Sequence, residues 1–171
     1  MKKMFAVLAL LSLPLAAQAA DAFNVVFKAQ GSYGDVRDMV QASIEGKGLK
    51  INHTNQIAEM LERTGKDVGS TRQVYEKGEQ FEFCSAKISR EMMEADPHAI
   101  VMCPYIVSVY TIPGDKTVYV PYRQPGPTGS PALKKALGDV EKLLTEIIQE
   151  ADMRNCFVEM GAWEEDTEKR W

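Results

Sequence analysis

The chain has 171 residues, enough for one ordinary domain with a sizeable core. Hydrophobic residues make up 45% and charged residues 26%, which excludes disorder throughout, while 12 Gly and 3 Cys exclude a collagen-like repeat and a disulfide-dense mini-scaffold. A net charge of −4 excludes a global attraction for nucleic acid, which needs a basic surface.

Lys2 and Lys3 precede an apolar run from Met4 to Ala16, and Ala17-Gln18-Ala19 supplies the small residues a signal peptidase reads. Residues 1–19 are therefore expected to be a secretory signal peptide, cleaved before Ala20. The run is shorter than the ~20 residues a spanning helix needs. No Cys follows it to carry a lipid, and no second apolar stretch of spanning length exists. The expected location is periplasmic or secreted, and loss of Lys2 and Lys3 takes the charge from −4 to −6.

Asn24-Val25-Val26-Phe27 reads as a short strand. Ser32 with Asp35 three residues on resembles a capping box, and Val36, Met39, Val40 and Ile44 follow at helical spacing until Gly46 and Gly48. Leu49, Ile51 and His53 alternate with Lys50 and Asn52, a half-buried strand. Ile57, Met60 and Leu61 mark a short helix, capped by Thr54 or Asn55. Residues 64–71 are polar and form a loop. Residues 72–84 read as strand, with Lys77-Gly78 as a turn between Val74-Tyr75 and Phe81-Phe83.

Ser85 or Ser89 then caps a helix carrying Met92, Met93 and Ala95, which Asp96-Pro97 ends. Tyr105 to Ile112 is the strongest strand, with Ile106, Ser108, Tyr110 and Ile112 on one face. Pro113-Gly114-Asp115 turns it back into Thr117 to Tyr122. After a Pro- and Gly-containing loop, Ser130 caps a long helix with Pro131 at its first position. Leu133, Leu137, Val140, Leu143, Leu144, Ile147, Ile148 and Ala151 form its apolar stripe. Residues 20–153 are the expected domain, and 154–171 an acidic C-terminal tail. This order predicts an α+β fold: a mainly antiparallel sheet with helices packed on one face.

Five segments in this order resemble the DUF302 family: Gly31-Ser32-Tyr33-Gly34-Asp35-Val36, Gly46-Lys47-Gly48-Leu49-Lys50-Ile51, Arg63-Thr64-Gly65-Lys66-Asp67-Val68-Gly69, Met93-Glu94-Ala95-Asp96-Pro97 and Tyr119-Val120-Pro121-Tyr122. The resemblance spans about Phe23 to Ala151. It implies a domain similar to half of a TATA-binding-protein-like fold, commonly a homodimer, and it carries no established activity. Phe83-Cys84-Ser85-Ala86 and Cys103-Pro104-Tyr105 depart from the commonest form of the family and look like a secreted branch that has acquired cysteines.

Cys84 closes a strand and precedes a helix start, where the helix dipole and Lys87 are expected to favour the thiolate. Cys103 enters the next strand. Residues 85–102 hold little more than one helix and a return loop, which brings the chain back to the same end of the sheet and the two thiols within bridging distance. A structural disulfide there is worth about 3 kcal/mol in the chain-entropy model. The alternatives are a redox-active pair, two free packing thiols, or pairing with Cys156. Cys156 is the odd thiol, since three cannot pair internally. No C-x-x-C is present.

Met92, Met93, His98 and Met102 lie near both cysteines in sequence, a donor set that suits copper(I), although methionines usually fill cores. Cys103-Pro104 alone is too little for haem. His53 sits among apolar neighbours and reads as a core or rim histidine. Tyr105, Tyr110, Tyr119 and Tyr122 read as cross-strand packing residues before a ligand platform. No G-x-S-x-G, H-E-x-x-H, P-loop or G-x-G-x-x-G motif occurs. Two classes remain open: a non-enzymatic binding or accessory protein acting as a dimer on an unknown small ligand or protein, and a thiol-based redox or copper-handling protein using Cys84 and Cys103.

Overall fold

The computed structural model describes residues 23–155. The apolar run after Phe23 forms strand β1 (Asn24–Ala29), and the Ser32 hydroxyl starts helix α1 (Tyr33–Gly46) by accepting the Asp35 N–H at 3.2 Å. The same hydroxyl donates to the Asp35 carboxylate at 2.7 Å. Gly48, at φ 72°, then takes a left-handed conformation that costs other residues more, and the chain enters β2 (Ile51–Asn55). Helix α2 (Ile57–Thr64), strand β3 (Lys77–Phe83), helix α3 (Ala86–Ala95) and a 3-10 turn (Pro97–Met102) follow. A hairpin of β4 (Tyr105–Thr111) and β5 (Val118–Arg123) leads to helix α4 (Pro131–Asn155). Ser130 caps α4 by accepting the Leu133 N–H at 3.2 Å.

The strands form one sheet in the order β1-β5-β4-β3-β2, with every neighbouring pair antiparallel. Pairing of β3 with β4 runs unbroken from Lys77 opposite Thr111 to Phe83 opposite Tyr105. The end of β3 therefore lies beside the start of β4, whatever the length of the connection between them.

Strand alternation builds the core. Phe81 and Phe83, then Tyr105, Val107 and Val109, then Val118, Val120 and Tyr122 are buried on one face. Onto them pack Val36, Val40 and Ile44 of α1, Met92 of α3, and the α4 stripe of Leu133, Leu137, Val140, Leu144, Ile147 and Ile148. Each large side chain so buried contributes roughly 1.5–3 kcal/mol. Lys47, past the end of α1, donates to Glu150 at 2.9 Å and Glu146 at 3.3 Å, tying α1 to α4. The architecture is the expected α+β sheet with helices on one face, while short α2 borders the other face against Gly78. A Cβ added at Gly78 would lie 3.5 Å from that of Tyr110 and 3.6 Å from that of Ala58.

Several local expectations change. Lys77-Gly78 is no turn but the first two residues of β3. Val74 and Tyr75 precede the strand, and Tyr75 packs its ring 5.0 Å from that of Tyr110. Its apolar character serves that contact rather than a ladder. A register shift between Ile51 and His53 breaks the alternation of β2, so Ile51 pairs with Phe83 while His53 pairs with Glu82 and is exposed. The residue preceding α2 is Gln56, without a side-chain cap, because Thr54 and Asn55 are still paired in β2. Ser85, not Ser89, caps α3. Helix α4 runs to Asn155, into the segment expected as tail. The leader 1–19, Cys156 and the tail beyond it lie outside the described residues. Among the described residues, no helix is long and apolar enough to cross a membrane.

Candidate functional site

Two features stand apart from the core: a thiol pair at one end of the sheet, and the face the helices leave open.

Cys84 follows the last residue of β3 and Cys103 lies two residues before β4, so the β3–β4 register sets them side by side. Both are free thiols and half-buried, and Cys103 lies close enough to Cys84 to raise its pKa. Ser89, one turn into α3, completes the cluster: its hydroxyl oxygen is 3.2 Å from the Cys103 sulfur and 2.9 Å from the Tyr105 hydroxyl. A serine has one proton. It can therefore donate to only one of the two, and one consistent arrangement has Tyr105 donating to Ser89 and Ser89 donating to Cys103. The Tyr105 phenol suits the donor role, since burial pushes its pKa up to about 12.

The expected thiolate at Cys84 is not favoured. Burial, and after it the hydrogen bond to and charge of Cys103, push the Cys84 thiol up to about 11. The Tyr105 backbone and Ser89 lower it, and do not reverse it. Lys87 is exposed and does not contribute. Desolvation and a neighbouring sulfur outweigh the helix end. A thiol so held is protonated at neutral pH and is a poor nucleophile.

The remaining sequence candidates scatter. Met92 is wholly buried in the core, and Met93 and Met102 pack against it. His98 is exposed on the 3-10 turn, its backbone N–H bonded to the Asp96 carboxylate at 2.9 Å. Among the described residues, no three His, Cys, Asp or Glu side chains gather as a metal site would require. Ser89 and Tyr105 are the members that sequence reasoning missed. Ser85 caps α3, and the i, i+4 spacing puts Ser89 one turn further along the same face of that helix; that spacing was the available signal.

The open face is built from the other half of each strand. Val26, Ile106, Ser108, Tyr110, Tyr119 and Pro121 point away from the helices on β1, β4 and β5, and Gln80 and Glu82 do so on β3. Tyr110 and Tyr119 face each other across the ladder, with ring centroids 5.2 Å apart and planes 15° apart. The Tyr119 hydroxyl donates to Asp115 at 2.6 Å, which holds the aspartate below the usual carboxylate range. The four hairpin tyrosines thus divide: Tyr105 and Tyr122 in the core, Tyr110 and Tyr119 outside. A concavity of about 330 Å³ lies on this face, lined by Tyr75, Tyr110, Gln80, Ser108, Pro121 and Arg123 among others. Its lining combines aromatic and apolar side chains with the hydrogen-bonded Gln80 and Ser108 and with Arg123, the make-up of a binding surface.

The fold is shared with a solved structure described as an uncharacterized conserved protein DUF302 from Bacillus stearothermophilus, at a TM-score of 0.64 and 16% identity, over 76% of this chain and 98% of that one. No curated protein matches the chain. The family model for the domain of unknown function DUF302 matches residues 25–151, from β1 to the last turns of α4. The chain belongs to the DUF302 family.

Proposed function

We propose that the chain is a secreted, non-enzymatic binding or accessory protein that works as a homodimer, with the open sheet face as its binding surface. One observation carries this reading: the β1-β5-β4 half of that face sets Val26, Ile106, Tyr110, Tyr119 and Pro121 among the polar Asn24, Lys28, Ser108 and Arg123, and it is uncovered, with Val26 45% exposed and Ile112, just past β4, 39% exposed. A face of this kind marks an interaction site. A second copy closing over it turns a shallow concavity into an enclosed one. The protonated Cys84 thiol is consistent with a role that involves no nucleophilic catalysis. The leader at residues 1–19 supports export, and the cysteines suit a secreted branch of the family. A native mass measurement on protein recovered from the periplasm tests the proposal. The expected product begins at Ala20 and has the mass of two chains. Intact Met1, a membrane-bound product or a monomer would overturn it.

A second reading rests on a separate observation, the free Cys84 and Cys103 thiols set at the same end of the sheet by the β3–β4 register. In this reading the protein handles thiol redox chemistry or a soft metal, and the pair forms a disulfide when the compartment oxidises it.

A further inference from the structure

From the Cys84–Ser89–Cys103 cluster we infer a two-sulfur site for a monovalent d10 ion, copper(I), held between the Cys84 and Cys103 sulfurs. The inference rests on the second of the two readings above and narrows it to metal.

The donor set selects the ion. Zinc wants four ligands, and among the described residues no third His, Cys, Asp or Glu joins the pair. Two thiolates alone satisfy copper(I), which is soft and accepts two-coordinate geometry. Copper(II) prefers nitrogen and oxygen ligands, and the histidines are elsewhere: His98 is exposed on the 3-10 turn and His53 is exposed on β2. The methionines are not needed, since Met92 is in the core and Met93 and Met102 pack against it.

Position and support fit as well. Both sulfurs are half-buried at the end of the sheet, reachable by a small ion or a donor ligand and sheltered from bulk water. The β3–β4 ladder ends at Phe83 opposite Tyr105, one residue from Cys84 and two from Cys103, and Ser89 of α3 lies 3.2 Å from the Cys103 sulfur. An outer hydrogen bond of this kind orients a ligating group and stabilises its charge. With the Tyr105 hydroxyl, 2.9 Å from Ser89, as donor to the serine, the serine proton is left for the sulfur once that sulfur is a thiolate. Two thiols and one copper(I) give one S–Cu–S unit of charge −1 and release two protons. No electron is transferred and no co-reactant is consumed.

Anaerobic titration of reduced wild-type protein with copper(I), buffered by a chromogenic copper(I) chelator, tests the site. The expected result is one ion per chain, two protons released, and two sulfur neighbours in the copper X-ray absorption spectrum. Cys84→Ser and Cys103→Ser should each weaken binding at least 100-fold, while Cys156→Ser leaves it unchanged. The spectrum and proton count are read on wild-type protein, so they stand if a variant fails to fold. Equal binding by folded Cys84→Ser and Cys103→Ser, or oxygen and nitrogen neighbours, would overturn the site. Equilibration with reduced and oxidised dithiothreitol separates it from its parent reading. A reversible Cys84–Cys103 disulfide with no copper(I) uptake overturns the metal site and leaves the redox reading standing. Neither disulfide nor uptake overturns both.

Discussion

The Ser89 hydroxyl oxygen lies 3.2 Å from the Cys103 sulfur, joining the first turns of α3 to the entry of β4. The same oxygen is the partner of the Tyr105 hydroxyl at 2.9 Å, and Tyr105 is a core residue. Ser89→Ala would leave that phenol without its partner in a buried setting. The expected loss is ~1–3 kcal/mol of stability, the usual cost of an orphaned buried polar group. A urea midpoint unchanged from wild type would show that the contact contributes nothing.

Thiol reactivity should follow the raised pKa of Cys84. Its ordinary value of 9.0 is pushed to about 11, first by burial and then by Cys103. At pH 8 its thiolate fraction should be about 100-fold below that of an ordinary thiol, and alkylation by iodoacetamide slower to match. Folding raises this pKa, so the folded state holds the proton more firmly. That contribution is complete below the unfolded value of about 9 and is lost as pH rises through about 11. Rates measured by mass spectrometry on reduced protein should climb about tenfold per pH unit in that window. An ordinary rate at pH 8 would contradict the geometry.

Core truncation should be far more costly than truncation on the open face. Ile147 is wholly buried where α4 meets the sheet, and Val26 is 45% exposed. Ile147→Ala should cost ~2–5 kcal/mol, through lost transfer energy and the cavity left behind. Val26→Ala should stay within about 0.5 kcal/mol when both proteins are diluted to the single-chain state. Denaturant unfolding of the two variants side by side gives the comparison.

Legibility in the sequence tracked the strength of each local signal. The α4 stripe from Leu133 to Ala151 is long enough that period and type could not be mistaken, and of its eight residues only Leu143 is less than fully buried. Ser32 and Ser130 announce their helices because a side-chain cap is a local event. Failures came where distant contacts decide. Val74 and Tyr75 look like strand because Tyr75 is needed against Tyr110, whose contact is not visible in a ten-residue window. The register shift in β2 moves His53 to the other face, and a strict alternation cannot anticipate it. At the site, the adjacency of Cys84 and Cys103 was legible from chain return to one sheet end. The protonation of Cys84 was not, since burial outweighs the helix end only once neighbours are placed.

Light scattering of the mature protein at micromolar concentration, beside its Val26→Glu variant, tests the open-face dimer most directly. Val26 lies on β1 opposite Pro121, in the β1-β5-β4 half of the open face, where a charge would be desolvated by a second copy. The account predicts about twice the chain mass for wild type, and the single-chain mass for Val26→Glu with an unchanged circular dichroism spectrum. A single-chain mass for wild type, or a dimer that persists in Val26→Glu, would contradict it.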